Sequence, residues 1–206
     1  MSAVLAVLPA AAAPALSATG DRPITKADAV IAIYSRGSGL SADQPKLVFV
    51  AWPDGELVWS EDQSEGGAPY RKGRVRPERV AAALGRLELD GVFNDKRLAQ
   101  PNFGPDASFT SVLVRKGTLT IEMNSWHEIA ERDGRAVATS RGIVSLADGD
   151  RLALLRKEPA DYLYYRMVWG ELRGLAGLLR PTDSQPVVGD IVVVHGTVSW
   201  HEGARR

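Results

Sequence analysis

The spacing of apolar residues changes period several times along this chain, and each change predicts an element. Residues 28–35 (DAVIAIYS) are apolar on both alternating sets, with Val30, Ala32 and Tyr34 set against Ala29, Ile31 and Ile33. That is the pattern of a strand covered on both faces. Residues 46–52 and 56–61 read as two strands joined by Pro53-Asp54-Gly55, a short hairpin loop in which glycine takes the left-handed position. Residues 70–75 read as a short edge strand. Residues 77–87 read as a helix with Val80, Leu84 and Leu87 on one face, ended at Asp90-Gly91. Residues 109–115 and 118–126 make a second hairpin around Lys116-Gly117, the second arm placing Leu119, Ile121 and Met123 on one face. Residues 133–151 are turn-rich and hold at most short strands. Asp148 and Asp150 lack the further oxygen ligands of a calcium loop and read as a turn.

The longest periodic stretch is 158–180. Val168, Leu172, Leu175 and Leu179 form one stripe on a 3.6-residue period, which Tyr164 and Tyr165 extend. Pro159 suits a first helical turn and Pro181 stops the helix. Leu163, Met167, Trp169 and Ala176 lie off the stripe, and Gly170, Gly174 and Gly177 interrupt it. Glycines in a helix predict close backbone packing that offsets their low propensity. Arg166, Glu171 and Arg173 in mid-segment exclude a transmembrane span. After this helix, 187–200 reads as a final strand through the β-branched run 191–194.

Composition narrows the function more than it defines it. Of 206 residues, 25 are Lys or Arg and 25 are Asp or Glu, so no broad field exists to hold nucleic acid. The absence of cysteine removes disulfides, thiol nucleophiles and cysteine-ligated metals. Residues 1–18 (MSAVLAVLPAAAAPALSA) are apolar and small, with the character of a secretory signal peptide apart from a basic start. The expected organisation is a signal peptide over 1–18 and a single domain over 19–206. The expected location is periplasmic or extracellular, or cytoplasmic if 1–18 is not a signal peptide. The Gly-rich turn Arg36-Gly37-Ser38-Gly39 leads into a strand rather than a helix, so it is no phosphate loop, and its spacing is not that of a nucleophile elbow.

Two sets of residues carry candidate chemistry. Trp52 and Trp59 flank the first hairpin turn, placed to pack across the strands or to stack on a ligand. A basic stretch follows, Arg71, Lys72, Arg74, Arg76 and Arg79, with Glu61, Asp62 and Glu65 just before it. Trp52, Trp59, Arg71, Arg74 and Arg76 are the expected ligand-binding residues, with the loop 94–107 as a second contact surface. The tetrapeptide Ser-Trp-His-Glu occurs twice, at 125–128 and 199–202. Imidazole beside carboxylate is the material of a zinc site or an acid–base pair, which makes His127, Glu128, His201 and Glu202 the candidate metal set. His195, six residues before His201, would share its side on an unbroken strand. Against this, a histidine and the next glutamate on a strand face opposite ways, the two copies differ in phase, and no H-E-x-x-H spacing occurs.

The layout resembles small exported bacterial domains of unassigned activity. The resemblance rests on 52–59, 75–93 (with its R-P-E-R-V-A-A-A-L run), 109–125 and the long helix, about half of the chain. The cysteine pair that such domains often carry near the first strand is missing. The resemblance implies an exported α+β domain and no activity. Taken with the residues, it gives an α+β fold: a mainly antiparallel sheet of two hairpins plus the first and last strands, with two helices packed on one face. The functional expectation is a non-catalytic binding or interaction module of the cell envelope. It would need no cofactor, and its partner would be a protein or a small ligand. The alternatives are a metal-dependent hydrolase using the His127/His201 pair and a structural homodimer through helix 159–180.

Overall fold

The computed structural model describes residues 24–36, 45–93, 109–125, 131–146, 150–187, 191–194 and 196–200. Helix and strand mix in an α+β fold, and the sheets among the described residues are antiparallel. The largest has seven strands: β2 (Ile31–Arg36), β3 (Lys46–Ala51), β4 (Glu56–Ser60), β5 (Tyr70–Arg74), β6 (Phe109–Lys116), β7 (Leu119–Ser125) and β10 (Gln185–Val187). They run in the order β10-β5-β4-β3-β2-β6-β7. A three-stranded sheet joins β1 (Ile24–Lys26), β12 (Thr197–Trp200) and β11 (Ile191–Val194) in that order, and β8 (Ala136–Thr139) pairs with β9 (Gly142–Ser145). The described helices are α1 (Pro77–Leu89), α2 (Arg151–Leu155) and α3 (Ala160–Leu179).

Strand alternation divides the core in two. Ile31, Ile33, Phe49, Ala51, Leu57, Trp59, Val112, Val114 and Met123 turn one face of the large sheet toward Val80, Ala83 and Leu87 of α1 and the inner side of α3. Ala32, Tyr34, Leu47, Val50, Trp52, Val58, Tyr70, Leu113 and Val187 turn the other face toward Ile191, Val198 and Trp200. The large sheet is therefore the middle of three layers, which is why residues 28–35 are apolar on both sets. Leu47 and Val50 share a face although three residues apart. Ile33 pairs with Phe49 and Tyr34 with Leu47, so Val48 is the extra residue of a bulge.

The hairpin loop at Pro53-Asp54-Gly55 depends on its glycine. Gly55 has φ +84°, and a Cβ there would lie 2.1 Å from the carbonyl oxygen of Val75, whose N–H donates to Gly55 O at 2.9 Å.

Three expectations are corrected. The stretch 187–200 is not one strand in the main sheet. Its chain reverses at Gly196 (φ +78°), so that β11 and β12 pair with Val194 opposite Thr197, and both belong to the smaller sheet. A β-branched run on each side of His195-Gly196 was the available signal. Residues 70–75 are not an edge, because β10 pairs outside β5 with Gln185 opposite Lys72. Finally, the glycines of α3 do not pack closely. Among the described residues nothing lies within 4 Å of a Cβ on Gly170 or Gly174, and Gly177 would meet only the Arg180 side chain. They sit on the outer face with Met167 (53% exposed) and Leu178 (67%).

The inner face of α3 carries the stability. Tyr162, Tyr165, Val168, Trp169, Leu172, Leu175, Ala176 and Leu179 are buried. A large side chain fully buried contributes about 1.5–3 kcal/mol, against about 1 kcal/mol lost per exposed helical glycine. Packing therefore dominates. No helix among the described residues is long and apolar enough to cross a membrane.

Candidate functional site

The basic stretch is dispersed by the geometry of a strand. In β5, Arg71 lies opposite Trp59 and so points to the helix side, while Lys72 and Arg74 lie opposite Val58 and Glu56 on the small-sheet side. Arg76 is the exposed residue preceding α1, and Arg79 on that helix donates to Leu178 O at 2.8 Å. The five cations therefore form no single patch.

Arg71 is committed to the fold. Its Nε donates to Ser184 Oγ at 2.7 Å, its Nη2 to Ser184 O at 3.0 Å and its Nη1 to Glu61 Oε1 at 3.3 Å. This fork fixes the segment that links α3 to β10. Gly73 lets that segment pass, since a Cβ there would lie 2.6 Å from Pro181 Cγ and 3.1 Å from Asp183 O.

Lys72 and Arg74, by contrast, line a groove of ≈ 620 Å³ with Glu56, Gly73 and the run Thr182, Asp183, Ser184 and Gln185. Its Glu56 is braced from β1. Lys26 Nζ reaches Asp54 Oδ2 at 2.7 Å and Glu56 Oε2 at 2.5 Å, and lies 4.8 Å from the centre of the Trp52 ring. Arg74 is held more loosely. Its Nη1 donates to Asp54 O at 3.2 Å, but its Nη2 lies 3.7 Å from Asp54 and 3.9 Å from Glu56. Burial pushes the Asp54 carboxyl up. The hydrogen bonds from Lys26 and the Glu56 amide, with the charges of Lys26 and Arg74, outweigh it and hold the group below the ordinary aspartate range. Asp183 is exposed and forms no ion pair among the described residues.

The two tryptophans do not meet. Trp52 is 1% exposed and packs on Trp200 between the sheets, with ring centres 5.9 Å apart. Trp59 is 5% exposed on the opposite face, against the helices. Both are core rings: Trp59 backs the groove at Gly73, where a Cβ would lie 3.2 Å from its Cη2, and Trp52 meets Lys26, which pairs with Glu56 of the lining.

His127, Glu128, His201 and Glu202 lie outside the described residues, as do His195, the loop 94–107 and residues 1–18. The strands leading to the two Ser-Trp-His-Glu copies are described. Ser125 pairs with Thr110 at the end of the large sheet where β3 begins at Lys46. Trp200 packs on Trp52, just past the other end of β3. Six residues of extended strand span about 20 Å. The reversal at Gly196 also removes the unbroken strand on which His195 and His201 would have shared a side. Among the described residues, no three His, Asp or Glu side chains gather as a metal set.

A second polar cluster, which sequence reading missed, joins α3 to β8. Glu131 accepts from Arg166 Nη1 and Nη2, each at 2.8 Å, from Arg151 Nη2 at 2.5 Å and from the Ala138 amide at 2.8 Å. Tyr162 donates its hydroxyl to Ala138 O at 2.9 Å, and Glu158 accepts from the Ser140 amide at 2.6 Å. Every carboxylate oxygen of Glu131 is occupied, so the cluster is a clamp rather than a site. The one available signal was the mid-helix Arg166.

No family model, curated protein or solved structure matches the chain.

Proposed function

We propose that the protein is a binding module of the bacterial cell envelope, exported by way of residues 1–18, which holds a small polar ligand in the groove lined by Lys72 and Arg74. The observation that carries this reading is the contrast within one strand. Arg71 gives its Nε and Nη2 to Ser184 in the groove wall, while Arg74 keeps long, loose contacts and lines the groove. Fixed walls around under-used charge are the arrangement of a preorganised binding surface. Of the residues expected to bind, Arg74 fits as a contact and Arg71 as a support. Arg76 stands outside the groove lining.

The test is a thermal-shift and denaturant panel on the purified chain with phosphate, simple sugars, sugar acids and short peptides. A ligand at about 100 times its dissociation constant adds about 2.7 kcal/mol. Arg74→Ala should abolish that gain, and Arg86→Ala on α1 should leave it. If no compound class stabilises the protein, or if Arg74→Ala leaves the gain intact, the reading is wrong. Sequencing the N-terminus of the mature protein tests export.

A homodimer through 159–180 has one observation in its favour, the outward Met167 and Leu178 beside Gly170 and Gly174. Light scattering across a concentration series decides it. A monomer at all concentrations ends that reading.

A further inference from the structure

We infer that the groove takes a zwitterionic, peptide-like ligand, with a carboxylate toward Arg74 and Lys72 and an ammonium toward Asp183; this rests on the binding reading above. The lining is balanced in charge, with Lys72 and Arg74 against Glu56 and Asp183. A simple anion would gain from the two cations and be opposed by the two carboxylates. A simple cation meets the reverse. A ligand carrying both charges gains at both ends, and this is how complementary potentials select a partner.

The placement of the groups fits such a molecule. Lys72 and Arg74 are two apart on β5 and share a face, so their backbones are about 6.6 Å apart. Gln185 lies opposite Lys72, and Asp183 is two residues before it on the facing segment. Asp183 therefore lies on the wall facing Lys72 and Arg74, while Glu56 lies beside Arg74 on β4. Glu56 is already bound to Lys26, which leaves Asp183 as the carboxylate of the lining with no ion pair among the described residues. The lining also carries the amide of Gln185 and the hydroxyl of Thr182, groups that match the N–H and C=O of a peptide bond. A volume of ≈ 620 Å³ is in the range of small-molecule sites and holds a few residues of chain. The Arg71 fork keeps the Ser184 wall in place before the ligand arrives.

Calorimetry on the full chain tests this with four probes: Gly-Gly-Gly, its N-acetyl form, its C-terminal amide and free glycine, with inorganic phosphate as control. Triglycine should bind, and each cap should weaken binding by about fivefold, the upper share of an exposed charge contact. Arg74→Gln should erase the difference between acid and amide while keeping that between free and acetylated amine. Asp183→Asn should do the opposite. Free glycine binding as well as triglycine would make the ligand an amino acid rather than a peptide, and the peptide part of the inference would fall. If N-acetyl-triglycine or phosphate binds as well as triglycine, and Arg74→Gln weakens both, the groove is a plain anion site and the binding reading stands without the inference. If a sugar stabilises the protein through Arg74 and no peptide binds, the inference likewise falls alone. If neither substitution changes any binding, both fall.

Discussion

Two carboxyl groups press on the helix layer, Glu131 against the first half of α3 and Glu171 within its second half, and their surroundings drive them in opposite directions. At Glu131 burial pushes the pKa up. The hydrogen bonds of Arg166 and the Ala138 amide, with the charges of Arg166 and Arg151, overcome it and hold the group below the ordinary glutamate value. At Glu171 burial also pushes up, and a hydrogen bond and like charge from Asp90 add to it. Arg86 pulls down without prevailing. The difference is one of supply. Two guanidiniums and an amide serve one carboxylate at the β8 clamp, whereas one arginine, 63% exposed, faces Glu171 with Asp90 beside it. Burial by itself therefore does not say whether a charge supports the fold. The count and geometry of its donors do.

Breaking the well-supplied end should have the largest effect. Arg166→Ala leaves Glu131 buried with half of its donors and should destabilise the protein by about 3 kcal/mol in urea unfolding. A loss below about 1 kcal/mol would mean that the clamp is only a surface ion pair. The pH dependence sharpens the contrast. Because the folded pKa of Glu131 is lowered, its stabilisation is present above the ordinary value of 4.5 and is lost as pH falls through the lower folded value. Glu131→Gln should therefore flatten the acid limb of stability against pH. Glu171 has the opposite sign. Its folded pKa is raised, so its contribution is full below 4.5 and is lost as pH rises through the folded value.

The outer face of α3 should respond next. Gly170→Ala and Gly174→Ala fill open space on an exposed face and should each stabilise the monomer by about 1 kcal/mol. If either change instead lowers stability, that face is covered in solution. The smallest effect falls at the poorly supplied carboxyl. Glu171→Gln should raise stability at neutral pH by on the order of 0.5 kcal/mol, with the gain vanishing near pH 4. A loss at neutral pH would show that Arg86 outweighs Asp90 after all.

Much of the fold was legible where one short-range rule was enough. The Pro53-Asp54-Gly55 loop, the start of α1 at Pro77 and the limits of α3 between Pro159 and Pro181 follow from backbone restrictions that act within a few residues. The stripe Val168, Leu172, Leu175 and Leu179 is buried as its period requires. The site was less legible. Arg71, Lys72, Arg74 and Arg76 read as one basic cluster, yet alternation along β5 and the turn into α1 send them to different surfaces. Their roles depend on Ser184 and Asp183, more than a hundred positions away. The metal candidates at 127–128 and 201–202 lie outside the described residues.

Periodicity, proline and glycine positions specify elements because each acts through the local chain. They are silent about which face a second layer covers, and so could not place β11 and β12 over Trp52 or put the glycines of α3 outside. A half-apolar helix looks the same whether its glycines meet a partner or water. The large sheet decided both, by filling the inner side of α3 with its own apolar residues and offering its other face to the returning chain. The groove exists for the same reason. Gly73 and Arg71 hold 181–184 against β5, a contact that depends on α3 lying across the sheet and ending beside that strand.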